Sequence, residues 1–158
     1  MSSGRALVLG LGNPIMGDDG VGIVVVRMLK QKISSRSNLE FKELSVGGIR
    51  LIEEMLGYET VFIIDSFDSK ETSGQIHEFS PEQFKQSQYE SSPHTTNFAT
   101  ALDLYKKLEP DRVPSSIRIF TIDIDSHFTF SDKLSPRVQT AAVNLAEQIT
   151  REVERIPS

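Results

Sequence analysis

The fold is decided by the stretch LVLGLGNPIMGDDGVG, residues 7–22. Its first five residues are mostly apolar and predict a short buried strand, which a glycine-rich turn ends. From Asp19 to Lys32 apolar residues recur at helical spacing, so a helix is predicted there. A strand, a tight turn and a helix form the first half of a βαβ unit, and open α/β sheets bind ligands beyond the carboxyl ends of their strands. The turn is therefore the first candidate position for a functional site.

A nucleotide-binding role for this turn does not fit its residues. Gly10 and Gly12 match the first two glycines of G-x-G-x-x-G, but the third position is Ile15. The chain contains no Gly-Lys-Ser/Thr sequence of the P-loop kind. Asp18 and Asp19 at the predicted helix start would also repel a phosphate, although acidic side chains there favour the helix itself. We predict that Asp18 is the N-cap of the helix and that Asp19 is the candidate for function.

Length and composition restrict the class of protein. The chain has 158 residues, which predicts a single α/β domain over residues 1–158. The net charge of −5 argues against a nucleic-acid partner, which needs a basic surface. Cysteine is absent, so the residues offer neither a disulfide framework nor a thiolate nucleophile. The N-terminus does not resemble a signal peptide and no apolar run reaches membrane-spanning length, so we expect a cytoplasmic protein without a membrane partner.

Strands and helices continue to alternate after the opening unit. A second strand is predicted over residues 39–46 and a short helix over 49–56, which Gly57 ends. The continuous apolar run of residues 60–64 is typical of a central strand covered on both faces. The order β-α-β-α-β predicts a parallel sheet with helices on both sides.

The second half of the chain adds an edge to this sheet and covers it. The elements predicted, in chain order, are a short antiparallel edge strand at 75–80, a polar loop at 81–97 with at most one helical turn, a helix at 98–108, a strand at 117–124, an irregular segment at 125–133, and a final helix with Ser135 as N-cap and Pro136 at its first position. The long polar loop is the least expected feature, because loops of this length in compact domains are usually functional.

Three side chains are candidates for chemistry. Asp19 follows the first strand, Asp65 follows the apolar run of the third, and His94 lies in the polar loop. In a parallel sheet the segments after the first and third strands emerge at the same edge, and the loop that carries His94 can fold over that edge. Two carboxylates and one imidazole form a ligand set suited to Zn²⁺ or Ni²⁺, with positions left open for a substrate group.

Two other histidines are alternatives for the imidazole. His77 lies in the predicted edge strand and His127 lies in the irregular segment, and we rank both below His94. A serine-hydrolase arrangement is not indicated, because the chain has no G-x-S-x-G sequence.

The motifs of the chain resemble those of a known family, the hydrogenase maturation endopeptidases. The opening motif GLGNPIMGDDGVG, residues 10–22, is long and specific. Shorter matches follow in order: the glycine pair 47–48, the sequence IDS at 64–66, SPH at 92–94 and LSPRV at 134–138. Together they run through most of the chain. Members of the family remove the C-terminal extension of the large subunit of nickel–iron hydrogenases.

The resemblance implies both a fold and a ligand set. The fold is a three-layer α/β/α sandwich, phosphorylase/hydrolase-like, with a mixed and mostly parallel five-stranded sheet. The family's three metal-binding positions fall on Asp19, Asp65 and His94. The metal is understood to be the nickel already inserted into the hydrogenase precursor, for which zinc or cadmium can substitute in crystals. The implied partner is therefore that large-subunit precursor, and we expect a monomeric endopeptidase.

Other residues have weaker claims. Asp18 or Asp68 is a possible general base, and Gly47 and Gly48 would let the backbone of a substrate peptide approach closely. Residues 130–134 lack the glycines that many relatives have before the last helix, which puts the type of hydrogenase substrate in doubt.

Three other functions are alternatives to the endopeptidase. A non-catalytic nickel chaperone would use the same three ligands without cutting the precursor. A relative of the germination proteases, a family that resembles this one in fold, would cut a different protein. Peptidyl-tRNA hydrolases also open with Gly-Leu-Gly-Asn-Pro, but Ile15 and the acidic pair replace their next residues, and the negative charge disfavours a tRNA.

Overall fold

The computed structural model describes residues 4–45, 47–125 and 130–157. Its strands are β1 (Ala6–Leu11), β2 (Leu39–Leu44), β3 (Thr60–Asp68), β4 (Ile76–Phe79) and β5 (Ser116–Ile124). They form one five-stranded sheet in the spatial order β2-β1-β3-β5-β4. All neighbours are parallel except β4, which runs antiparallel to β5 at the edge. The predicted mixed, mostly parallel sheet is confirmed.

Helices join and cover these strands. The α-helices are α1 (Val21–Lys32), α2 (Ile49–Met55), α3 (Pro81–Lys85), α4 (Phe98–Leu108) and α5 (Pro136–Glu154). Short 3₁₀-helices lie at Gly17–Gly20, Lys70–Thr72 and Gln88–Ser91. None of the helices in the described ranges is both long enough and apolar enough to cross a bilayer.

The sheet has an apolar core on each face, because side chains alternate between the two sides along every strand. On one face, Val8 of β1 and Phe62 of β3 pack with buried residues of α1 and α5. On the other face, Leu9 and Ile63 pack with α2, α3 and α4. The predicted three-layer α/β/α sandwich is confirmed. Both faces of β1 and β3 are buried, which explains their continuous apolar sequences.

Helix α1 begins directly on the sheet, where Gly22 is pressed against two strands. A Cβ atom on Gly22 would lie 2.4 Å from the carbonyl oxygen of Ile64 and 2.5 Å from that of Leu11. A side chain there would push the helix away from the sheet, because neither backbone can yield much. Gly22 thus allows the close helix–strand packing that the third glycine of a nucleotide fingerprint allows elsewhere. The contact holds the start of α1 over the carboxyl ends of β1 and β3.

Two predictions at the start of α1 need correction. The segment predicted to be helical from Asp19 is the 3₁₀-helix Gly17–Gly20, and the α-helix starts at Val21. The predicted capping role of Asp18 is wrong, since the residue lies inside the 3₁₀-helix, whose N-cap is Met16. Its carboxylate instead accepts hydrogen bonds of 2.7 Å from the backbone N–H and the Oγ hydroxyl of Ser135. Ser135 does occupy the N-cap position of α5, but its hydroxyl points to Asp18 and not to the helix backbone.

Two strand boundaries and two predicted irregular segments also differ from prediction. Strand β2 ends at Leu44, and its predicted last residue, Val46, lies outside the described residues. Strand β3 continues past residue 64 to Asp68, because β5 pairs with it along that whole length. The predicted loop 81–97 contains α3 and a 3₁₀-helix. Of the irregular segment 125–133, residues 126–129 lie outside the described part, and Ser131 forms a parallel bridge with Met16.

Candidate active site

A cavity of about 550 Å³ opens at the carboxyl ends of the central strands. Its walls come from the turn after β1, the residue after β2, the end of β3 and the segment before α4. The lining residues are Asn13, Met16, Asp19, Ser45, Ser66, Phe67, Asp68, Ser91, Ser92, Pro93, His94 and Ile124. This is the edge at which open α/β sheets bind their ligands.

Asp19 is held in the cavity wall by the turn that precedes it. The backbone N–H of Asn13 donates a 2.9 Å hydrogen bond to Oδ2 of Asp19. Gly12 has a φ of +141°, and a Cβ atom there would lie 2.2 Å from the carbonyl oxygen of Asp19. The turn can therefore close around Asp19 only with glycine at position 12. The other carboxylate oxygen, Oδ1, is 3.5 Å from the hydroxyl of Ser66 on β3.

Asp65 lies behind the cavity wall, and its side chain is almost completely buried, with 1% exposure. It is inside β3, one residue beyond Ile64, the last β3 residue that pairs with β1. Oδ1 accepts a 2.8 Å hydrogen bond from the backbone N–H of Ser66, and Oδ2 accepts one of the same length from the hydroxyl of Ser92. A buried carboxylate is costly unless it is paired in this way.

The third predicted residue, His94, meets Asp65 directly. Its Nδ1 atom is 3.2 Å from Oδ1 of Asp65, and the imidazole side chain is 12% exposed. The contact has the distance of an ion pair but not the direction of a good hydrogen bond, so Nδ1 has no well-directed partner in the described structure. A buried ring nitrogen in that state, beside a carboxylate, is suited to a further electrophile such as a metal ion.

The electrostatics of the pair favour the protonated imidazole. The contact with Asp65 raises the pKa of His94 above its ordinary value of 6.5, and the charges of Asp65 and Asp19 act in the same direction. Burial of the ring opposes them by lowering the pKa. A metal ion that bound this imidazole would have to displace a proton from it.

The three predicted ligands are thus neighbours, but they do not form a ready-made metal centre. Asp65 touches His94, and Ser66 connects Asp19 to the same strand. Within residues 4–45, 47–125 and 130–157, no group of three His, Cys, Asp or Glu side chains is arranged to hold a metal ion. The chemistry of the donor set fits a nickel or zinc ion, and the role of the three residues as its ligands stays a prediction.

The weaker candidates are placed as follows. Asp68 lines the cavity, whereas Asp18 is not among its lining residues and binds Ser135. His77 lies on β4 and its Nε2 atom is 2.9 Å from Asp123, outside the cavity wall. His127 lies outside the described residues.

The two glycines predicted to admit a substrate backbone have different surroundings. A Cβ atom on Gly47 would lie 2.1 Å from the carbonyl oxygen of His94, so the space beside Gly47 is taken by the chain itself. Gly48, with a φ of +66°, has open space around the position of a Cβ atom. A substrate contact at Gly48 stays a prediction.

Sequence reasoning missed Ser92 and Ser66, whose hydroxyls contact the carboxylates of Asp65 and Asp19 respectively. Ser92 precedes the Pro93-His94 pair, and its hydroxyl reaches Asp65, 27 positions earlier in the chain. No local pattern marks such a contact. The sequence did contain a signal for helix α3, which lies inside the predicted loop 81–97: Ser80 and Gln83 form a capping box at the start of this helix.

Comparison with known proteins identifies the family. The family model for hydrogenase maturation protease, HycI, matches residues 23–152, a segment that contains Asp65 and His94 and begins just after Asp19. The chain belongs to the hydrogenase maturation protease family, whose members hydrolyse peptide bonds. A comparison with curated protein sequences finds no match.

Solved structures agree with the fold. The hydrogenase maturating endopeptidase HybD from E. coli has a TM-score of 0.78 at 22% identity, with 95% of this chain and 92% of that one covered. The [NiFe] hydrogenase maturation protease HybD from Thermococcus kodakarensis has a TM-score of 0.70 at 26% identity, covering 94% and 98%. The HycI protease from the same species has a TM-score of 0.73 at 19% identity, covering 96% and 93%.

Proposed function

We propose that this protein is an endopeptidase that removes the C-terminal extension from the large-subunit precursor of a nickel–iron hydrogenase. Asp19, Asp65 and His94 meet the nickel ion that the precursor carries, so that only a metal-loaded precursor is cut. The observation that supports this best is the contact of His94 Nδ1 with the buried Asp65, 3.2 Å apart, beside a cavity that Asp19 also lines.

The donor set suits a metal that arrives with its substrate. Carboxylate oxygens and an imidazole nitrogen are ligands for Ni²⁺, and three protein ligands leave coordination positions for groups of the precursor. Bound nickel would supply Lewis-acid polarisation of a carbonyl or an activated water. The chain's own contribution is to hold His94 in the cavity wall against the buried Asp65 and to hold Asp19 in the same wall.

Hydrolysis then needs no covalent nucleophile. The chain has no cysteine, and the hydroxyl of Ser92 already donates to Asp65. Of the two carboxylates considered as general base, Asp68 is the better placed, because it lines the cavity and Asp18 does not. A general base must come within hydrogen-bond reach of the attacking water, and only a cavity residue can do so.

The test is incubation with a nickel-loaded precursor that still carries its extension, with loss of the extension followed by mass spectrometry. Wild-type protein should cut this precursor and leave the nickel-free form intact. The variants Asp19→Asn, Asp65→Asn and His94→Ala should each be slower by at least about 100-fold, since even supporting residues of metal sites cost 10–100-fold.

A matched control is Asp103→Asn on α4, an exposed aspartate that pairs with Lys85 and does not line the cavity. It should cut at the wild-type rate. Wild-type rates in the three ligand variants would overturn the ligand assignment. An uncut precursor to which nickel has been transferred would favour the chaperone over the protease.

A further inference from the structure

Tyr89 lies at the start of the segment that carries His94 and joins it to the sheet. Its ring centroid is 4.3 Å from that of Phe67 on β3 and 5.1 Å from that of Phe79 on β4. Its hydroxyl is 3.0 Å from Nε2 of His77 and 3.4 Å from Oδ2 of Asp123. One side chain of the segment thus touches three neighbouring strands, β3, β4 and β5.

Asp123 is the carboxylate that the Tyr89 and His77 side chains share. It lies in β5 opposite Phe67 of β3, and it is completely buried. Oδ2 accepts a 2.6 Å hydrogen bond from the hydroxyl of Thr72 and is 2.9 Å from Nε2 of His77. Burial and the Asp123 charge raise the pKa of Tyr89 to about 12, so its hydroxyl stays protonated and can donate a hydrogen bond to the carboxylate.

The contact matters because the His94 loop, residues 86–97, is held mainly by its own hydrogen bonds. The carbonyl oxygen of Tyr89 accepts from the backbone N–H of Ser92 and from the hydroxyl of Thr95, both at 3.4 Å. Ser92 in turn donates to Asp65, and His94 follows two residues later. A displacement of Tyr89 would therefore be passed to Ser92 and His94 through the loop's internal bonds.

We propose that Tyr89 is a positioning residue, whose hydroxyl contacts with Nε2 of His77 and with the buried Asp123 fix the His94 loop so that Ser92 and His94 lie over Asp65. The proposal rests on the proposed function for its effect on cleavage, but not for its effect on the loop. Residues that orient the groups of a metal site commonly matter almost as much as the ligands.

The experiment uses Tyr89→Phe, which removes the hydroxyl and keeps the ring between Phe67 and Phe79. Cleavage of the nickel-loaded precursor should fall about tenfold, the lower end of the cost of losing a supporting contact at a metal site. In the free protein, hydrogen exchange of the backbone N–H groups of Ser92, Thr95 and Thr96, which are bonded within the loop, should rise about tenfold, while exchange in β1 and β3 stays as in wild type. The midpoint of urea denaturation is measured on the same samples to show that the variant is folded.

Tyr58→Phe is the matched control. Tyr58 is a buried tyrosine whose hydroxyl donates to a carboxylate, that of Glu40, as the hydroxyl of the half-buried Tyr89 donates to Asp123, but it lies just before β3, at the end of the sheet opposite the cavity. Losing its hydroxyl should change neither cleavage nor exchange at Ser92, Thr95 and Thr96. An equal change in the two variants would overturn the proposal, because it would show a general loss of stability.

A double-mutant cycle with Asp123→Val tests whether the two residues act through one contact. Valine suits a buried strand and removes the carboxylate, so Tyr89→Phe should have a smaller further effect on loop exchange in that background, the remainder coming from the contact of the Tyr89 hydroxyl with Nε2 of His77. An undiminished tenfold effect there, or unchanged exchange in Tyr89→Phe itself, would overturn the proposal. If wild-type protein leaves the precursor uncut, the proposed function fails, while the exchange measurements on the free protein still decide the role of Tyr89.

Discussion

The backbone of His94 lies against Gly47 so closely that a Cβ atom at position 47 would be 2.1 Å from the His94 carbonyl oxygen and 2.7 Å from its Cα atom. Real Cβ atoms essentially never approach other heavy atoms within 3.0 Å. The segment before α2 and the His94 loop therefore fit together only with glycine at position 47. This contact, together with Asp65 and Tyr89, determines where the imidazole lies.

The first prediction is that Gly47→Ala displaces His94. Overpacking of this kind costs about 1–3 kcal/mol of stability. Cleavage per folded molecule should fall as well, because the imidazole moves away from Asp65. Gly57→Ala is the control: it introduces a side chain at a φ of +90° but meets no atom within 4 Å, far from the cavity. It should lower the unfolding free energy and leave the cleavage rate of folded protein unchanged.

Asp18 is predicted to be structural rather than catalytic. Asp18→Ala removes the acceptor for the backbone N–H and hydroxyl of Ser135, which starts α5. We expect a loss of about 1–2 kcal/mol in urea denaturation, the range of a lost helix cap. Ser135→Ala should cost less, since the backbone N–H still binds Asp18. Cleavage by Asp18→Ala, corrected for folded fraction, should equal that of wild type; a large drop in the rate would restore Asp18 as the general base.

Ser92→Ala should affect both stability and the site. It leaves Oδ2 of the buried Asp65 without its hydroxyl donor, which costs about 1–3 kcal/mol. Ser115→Ala is a suitable control, because the exposed Ser115 hydroxyl donates to the Glu59 carbonyl and does not line the cavity. Denaturation and precursor cleavage are measured for both. Equal behaviour of the two variants would show that the Asp65 contact contributes little.

The pH dependence of stability should report on the His94–Asp65 pair in metal-free protein. Folding raises the pKa of His94 above 6.5, so the native state holds the proton more tightly than the unfolded chain. The stabilisation from His94 is therefore fully present below the unfolded pKa and is lost as the pH rises through the folded pKa. The stability difference between wild type and His94→Gln should be larger at about pH 5.5 than at about pH 9.

The cleavage rate should change with pH in the opposite direction to the stabilisation by His94, because only the neutral imidazole can bind nickel. The rate should rise with pH across the interval in which His94 loses its proton. A stability difference that grew with pH would contradict the assigned direction of the pKa shift, whatever the cleavage profile.

Much of the fold could be predicted because its determinants are local. Apolar runs such as residues 60–64 and the helical spacing in α5 reflect burial on the faces of single elements, and these are visible along the sequence. The limits of the elements were less predictable. Strand β3 extends to Asp68 only because β5 pairs with it, and α1 starts late because the preceding turn is bonded to Ser131 and Ser135.

The sequence by itself determined the order of the five strands and of helices α1, α2, α4 and α5, the mostly parallel sheet, and the candidate side chains for chemistry, since these follow from residue type and spacing. Tertiary structure decided which of them meet. His94 rather than His77 lies against Asp65 because Gly47 and Tyr89 guide the loop there, and His77 is instead bound to Asp123. The role of Asp18 differs from that of Asp19 because Asp18 binds Ser135, which lies 117 positions further along the chain. Such contacts depend on how distant segments pack, which no local pattern encodes.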